Sequence, residues 1–188
     1  NTAVQQVGAR GQAVRLFYTD GLHVDIAPVF GYSGGGYGLP SGSGGWIATD
    51  PPKQEAWADE RDEALGNQFK RRVRLLKRWN TVHSKRLGSW HLEVMVGKVF
   101  TSMSSDHRSG LMKFFEWAGT YLHVDDPDGR GGDLGIDLTS AQAQAITDSF
   151  ASNHTRATNA VSAEARGDHR EAIRLWGILL GNEFPAYG

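Results

Sequence analysis

The apolar residues of this 188-residue chain change their spacing once, and that change limits what it can fold into. In the first fifty residues they alternate. Val14, Leu16 and Tyr18 alternate with Arg15 and Phe17, and Val24 and Ile26 alternate with His23 and Asp25. From about Glu55 the step lengthens, and Leu65, Phe69, Val73 and Leu76 fall on one face of a helix. A period of two suits a strand with one face toward a core, and a period near 3.6 suits a helix. Strands followed by helices define an α+β chain, which divides into a strand-rich part over 1–60 and a helical part over 61–188.

Within the first part, Asp20-Gly21 separates the two alternating runs and predicts a β-hairpin, since that dipeptide suits a tight turn. Asp25 then shares a face with His23, opposite Val24 and Ile26, and Pro28 suits a strand end or an edge. Residues 31–45 hold eight glycines and read as a long flexible loop, with a short strand at Trp46-Ile47-Ala48. Further helices are expected near 88–103, 109–122, 140–166 and 168–181, with Thr139 or Ser140 and Asp168 as N-caps. An acidic, glycine-rich loop fills 124–138.

Twenty Lys and Arg against 21 Asp and Glu leave a net charge of −1, so the molecule as a whole is not a polyanion binder. The distribution is uneven. From Ala64 to Leu92 there is no acid and there are eight bases, whereas 47–63 carries six acids and two bases. The basic stretch suits a polyphosphate ligand, or else a solvated face paired with those acids. With no Cys, disulfide scaffolds and thiolate metal sites are excluded, and a reducing, cytoplasmic setting fits. No apolar run reaches the roughly 18 residues of a membrane span.

Four residues stand out for chemistry. Asp25 places a carboxylate on the polar side of a strand beside the glycine-rich loop, where it can reach a divalent cation held against phosphates. The alternatives are a solvent-facing acid or a His23-x-Asp25 metal pair. Lys77 follows Leu76 at the edge of the buried helix face, so its ammonium can enter a cleft. Ser89 opens the next helix, where free backbone N–H groups favour an anion. Trp90 offers a flat ring for stacking a base, or for core packing. The glycine-rich loop matches neither phosphate-cradle fingerprint, and no nucleophilic triad is visible.

Their order carries more than any one of them. Tyr18-Thr19-Asp20-Gly21-Leu22-His23-Val24-Asp25-Ile26-Ala27-Pro28-Val29-Phe30 precedes a Gly/Pro loop and then Gly45-Trp46-Ile47-Ala48-Thr49-Asp50-Pro51. Leu75-Leu76-Lys77-Arg78-Trp79-Asn80 and Gly88-Ser89-Trp90-His91-Leu92-Glu93 follow. This layout resembles the C-terminal two-thirds of the CD-NTase family, bacterial cyclic-oligonucleotide synthases related to animal cyclic-GMP-AMP synthase and oligoadenylate synthase.

The resemblance implies part of a polymerase-β-like nucleotidyltransferase sheet followed by an α-helical lobe. It implies an enzyme that joins ATP, GTP or other NTPs into cyclic di- or trinucleotides with two Mg²⁺ ions, Mn²⁺ being the alternative. A role in anti-phage signalling and regulatory proteins from a defence operon as partners are further implications, with no membrane involved. Of the three metal carboxylates in the family, the match places the third at Asp25. Lys77, Ser89 and Trp90 take the positions that hold the triphosphate and its base. The family's phosphate-gripping Gly-Ser loop and first two carboxylates are expected on a segment upstream of Asn1, so the 188-residue chain alone is expected not to turn over. Gly188 is compatible with conjugation to a partner, as in some family members. Two other readings compete: a different polymerase-β-like transferase, and a non-catalytic nucleotide- or RNA-binding module built on the basic helix.

Overall fold

The computed structural model describes residues 2–41 and 44–187; Asn1, Gly42, Ser43 and Gly188 lie outside it, including two positions of the expected glycine-rich loop and the terminal glycine. Two small antiparallel sheets precede six α-helices, as an α+β chain requires. The residues group into two compact units. One runs to Glu55 and also takes in Asp128–Gly131; the other holds Ala56–Pro127 and resumes at Gly132.

In the first unit, β1 (Val4–Arg10), β2 (Ala13–Tyr18) and β3 (His23–Ile26) form a sheet in that order. The hairpin at Asp20-Gly21 is present, with the Asp20 carboxylate accepting from the Leu22 N–H at 3.1 Å. Sequence reasoning left out β1, which pairs along β2 in antiparallel register. One expectation is overturned. The apolar face expected to be buried stays open to solvent, with Val14, Val24 and Ile26 each about half exposed, because no described element lies over it. The short strand expected at Trp46-Ile47-Ala48 is β6 (Trp46–Thr49), and the expected loop before it supplies most of two partners, β4 (Phe30–Gly31) and β5 (Tyr37–Pro40), in a second sheet. Gly35 and Gly36, both at positive φ, make its first turn. Alternation could not reveal β4 and β5, since a glycine shows no side chain to either face.

The first helix begins earlier than expected. α1 (Pro51–Ala64) opens on two prolines, which a helix tolerates in its first turn, where N–H groups lack partners anyway. It ends where Gly66 and Asn67 take positive φ, so Leu65 and Phe69 do not share one helix as their spacing suggested. α2 (Phe69–Val82), α3 (Ser89–Val99), α4 (His107–Trp117), α5 (Ser140–Ala165) and α6 (His169–Leu180) follow. The expected N-caps form: Thr139 makes a reciprocal capping box with Gln142, and Asp168 accepts from the Glu171 N–H.

The core lies in this helical unit. Trp79 of α2 meets Phe115 of α4 and Phe150 of α5, with ring centroids 5.1 and 5.5 Å apart. Small residues Ala157, Ala160 and Ala163 are buried along α5, where they let α6 approach closely. Arg61 donates to the carbonyls of Gly97 and Phe100 at 2.8 and 2.9 Å and so closes the C-terminus of α3. No helix among the described residues is long and apolar enough to cross a membrane.

Candidate functional site

Asp25 is placed by the hairpin. The turn at Asp20-Gly21 fixes the register that sets Arg15 opposite Asp25 and Phe17 opposite His23. Directly paired residues share a face, so the Arg15 guanidinium grips the carboxylate with both prongs, Nε to Oδ1 at 2.6 Å and Nη2 to Oδ2 at 2.7 Å. This fork, with the charges of Arg15, His23 and Arg10 behind it, holds the Asp25 carboxyl below the usual carboxylate range. The group is therefore ionised at neutral pH. It borders an open cleft with Gly11, Gln12 and Leu39.

An ionised, half-exposed carboxylate suits a hard cation such as Mg²⁺ or Mn²⁺, which keeps several waters and takes one or two carboxylates. Asp25 fits that role as one donor. Among the described residues no group of three or more His, Cys, Asp or Glu could hold an ion, so the fit extends to a single wall of a metal site.

Lys77, Ser89 and Trp90 belong to the helical unit, at the junction of α2 and α3. Lys77 is half-buried on α2, and its ammonium reaches Glu93 of α3 at 2.6 Å. Glu93 lies four residues after Ser89, so it shares a helix face with it. Ser89 is the exposed first residue of α3. Gly88 precedes it in extended conformation and gives no side-chain cap, leaving the first-turn amides to an external acceptor. The loop before it is pinned by buried Asn80, whose side chain donates to the Leu87 carbonyl at 2.7 Å and accepts from the Leu87 N–H at 3.2 Å.

Trp90 is anchored from two sides. Its indole N–H donates to Asp126 at 3.0 Å, and Trp57 meets it edge-on with centroids 5.4 Å apart. Asp126 sits in a loop closed by its own N–H to the Gly132 carbonyl at 2.7 Å and by a bridge from Asp125 to Asp133. The ring is thus oriented and partly packed.

Sequence reasoning missed Arg15, Glu93, Asn80 and Asp126 as partners. Counting outward from the Asp20-Gly21 turn would have paired Arg15 with Asp25. Glu93 and Asn80 lay inside the quoted blocks, but spacing alone does not show which helix faces which. Nothing local pairs Asp126 with a tryptophan 36 residues away.

No protein-family model matches the chain. It is 31% identical over 172 residues, 87% of its length, to a probable cyclic nucleotide synthase of Bacillus cereus, of which it covers 52%. It is 26% identical over 193 residues to a cyclic AMP-AMP-AMP synthase of an Acinetobacter strain, covering 54% of that protein. The fold matches the Vibrio cholerae cyclic AMP-GMP synthase DncV with a TM-score of 0.76 at 17% identity, in a complex with a linear intermediate, over 96% of this chain and 53% of that one. It matches CdnC of Escherichia coli, in complex with a HORMA protein, with a TM-score of 0.75 at 20% identity, over 96% and 66% of the two chains.

The chain is similar to cyclic nucleotide synthases over most of its length, in keeping with the CD-NTase resemblance of its sequence. It spans about half the length of the curated relatives it matches. It carries the α+β layout of its structural neighbours, with Asp25 in the strand unit and Lys77, Ser89 and Trp90 in the helical one.

Proposed function

We propose that the protein containing these residues makes cyclic di- or trinucleotides from NTPs. The observation that carries this reading is the ionised Asp25 on an edge strand of a chain whose relatives are named as cyclic nucleotide synthases. A ribose hydroxyl of one nucleotide attacks the α-phosphorus of another. A P–O bond forms, the bond between α- and β-phosphates breaks, and pyrophosphate leaves as the hydroxyl proton passes to solvent. A second transfer closes the ring. This reading includes a divalent metal, Mg²⁺ or Mn²⁺ in its place, which Asp25 would help to hold and which would supply charge neutralisation of the phosphates.

This chain's residues divide the remaining work. Asp25 provides one oxygen donor to the metal, the other carboxylates being supplied by parts of the protein beyond these residues. Lys77 acts as a point charge on the triphosphate, and the open first turn of α3 at Ser89 donates backbone N–H groups to a phosphate oxygen. Trp90, held by Asp126, stacks a base without selecting its identity. DncV structures contain ATP and GTP, which supports these two as substrates here. The HORMA protein bound to CdnC supports a protein partner here; a regulatory role for it, the cytoplasm and anti-phage signalling belong to this reading through the sequence resemblance.

The test is synthesis by the full-length protein with Mg²⁺, ATP and GTP, the products resolved by mass spectrometry after phosphatase treatment. A phosphatase-resistant cyclic product is expected from the native protein. Asp25→Asn should reduce it by about a thousandfold or more, the scale of losing an essential electrostatic group. Linear polymers, or a product that survives the substitution, would overturn the reading.

A further inference from the structure

The fork from Arg15 occupies one in-plane lone pair on each oxygen of Asp25 and sets a fixed positive charge against both. Both carboxylate oxygens accept from one guanidinium, at 2.6 and 2.7 Å, and register holds the two residues directly opposite one another. Arg15 is the more enclosed partner, its side chain 19% exposed against 40% for Asp25. Its charge does not switch off, because a guanidinium stays protonated throughout the working pH range. Arg10 adds further positive charge near the carboxylate.

A divalent cation needs the same oxygens and meets the same positive field. We propose that Arg15 is a built-in counter-cation that competes with the divalent metal for Asp25, an inference that rests on the metal role given to Asp25 above. Metal capture then either displaces a prong of Arg15 or takes a remaining lone pair beside the guanidinium charge, and both lower the affinity for the ion. Until the remaining donors and the nucleotide phosphates contribute, the fork keeps the carboxylate in place and discourages capture of a bare ion. Arg15 is thus a positioning residue that sets how tightly metal binds before substrate arrives.

The experiment measures Mn²⁺ binding to the nucleotide-free, full-length protein by the loss of the free-ion electron paramagnetic resonance signal at fixed ionic strength. Arg15→Gln is expected to tighten binding by about threefold to tenfold, in keeping with release of one exposed, bidentate ion pair. Arg15→Lys keeps a charge but loses the fork, so it should tighten binding less; it also serves as the reading if Arg15→Gln does not fold. Asp25→Asn should weaken binding and erase the difference between the Arg15 variants and the native protein. Unchanged or weaker binding in the Arg15 variants, with Asp25→Asn still weakening it, overturns the competition and leaves the metal role of Asp25 intact. Failure of Asp25→Asn to weaken binding overturns both.

Discussion

At the scale of single residues, three of the four candidate side chains already have a partner. Asp25 is held by Arg15, Lys77 by Glu93 and Trp90 by Asp126. Such pairs cost a ligand some exchange energy, but they spare it the entropy of ordering a long side chain. Lys77 shows the trade most clearly. It is half-exposed, so its ion pair with Glu93 contributes little to stability, whereas a triphosphate would gain a charge-assisted contact from an ammonium already in place. Lys77→Met in the full-length protein should therefore weaken NTP binding by roughly tenfold to a hundredfold. Lys77→Arg should retain much of it. Displacement of a fluorescent ATP analogue measures both, and native affinity in Lys77→Met would remove Lys77 from the site.

At the scale of elements, the approach to α3 is set by one buried amide. Asn80 gives Leu87 the two hydrogen bonds a neighbouring strand would supply, and Leu87 lies two residues before Ser89. Asn80→Ala would strand a buried N–H and a buried carbonyl, at a cost of about 1–3 kcal/mol. It should also lower NTP affinity, because the open turn of α3 would no longer be fixed. Urea unfolding and the same displacement assay check the two effects, and a change in neither would refute the role of Asn80. The sequence made some of this visible and hid the rest for definite reasons. Asp20-Gly21 between two alternating runs disclosed β2 and β3, and Thr139 with Gln142 marked the start of α5. Of the second sheet only β6 was legible, and its partners β4 and β5 stayed hidden because Gly31 and Gly38 carry no pattern. The break between α1 and α2 stayed hidden because Leu65 and Phe69 are both buried and keep helical spacing across Gly66 and Asn67. Candidate residues were readable as blocks, but their partners come from distant segments and depend on packing.

At the scale of the whole molecule, three histidines make stability depend on pH. His91 is pushed below its ordinary value of 6.5 by burial, despite the hydrogen bond of its Nε2 to the Leu122 carbonyl at 2.9 Å. His83 and His107 are lowered as well, again chiefly by burial. An unfolded chain takes up these protons near pH 6.5, while the folded chain resists until a lower pH. Between those points the unfolded state binds more protons, so stability is complete above about pH 6.5 and declines as pH falls below it. The urea midpoint should accordingly drop from pH 7.5 to pH 5.5. His91→Gln, which can still donate to the Leu122 carbonyl, should flatten that slope. An equal slope in native protein and variant would count against His91.

The strand unit includes four residues, Asp128–Gly131, that the chain delivers only after α4 has been built. Asp128 accepts from the Asp50 N–H at 3.1 Å and from the Gln54 side chain at 2.8 Å, and Arg130 donates to the Gly34 carbonyl at 2.9 Å. A gene cut near codon 60 therefore removes a stitch from the half it means to keep. Chimaeras that trade halves between relatives should carry this tetrapeptide with the strands, and recombination within such a family is expected to keep the two stretches together despite the seventy-odd codons that separate them.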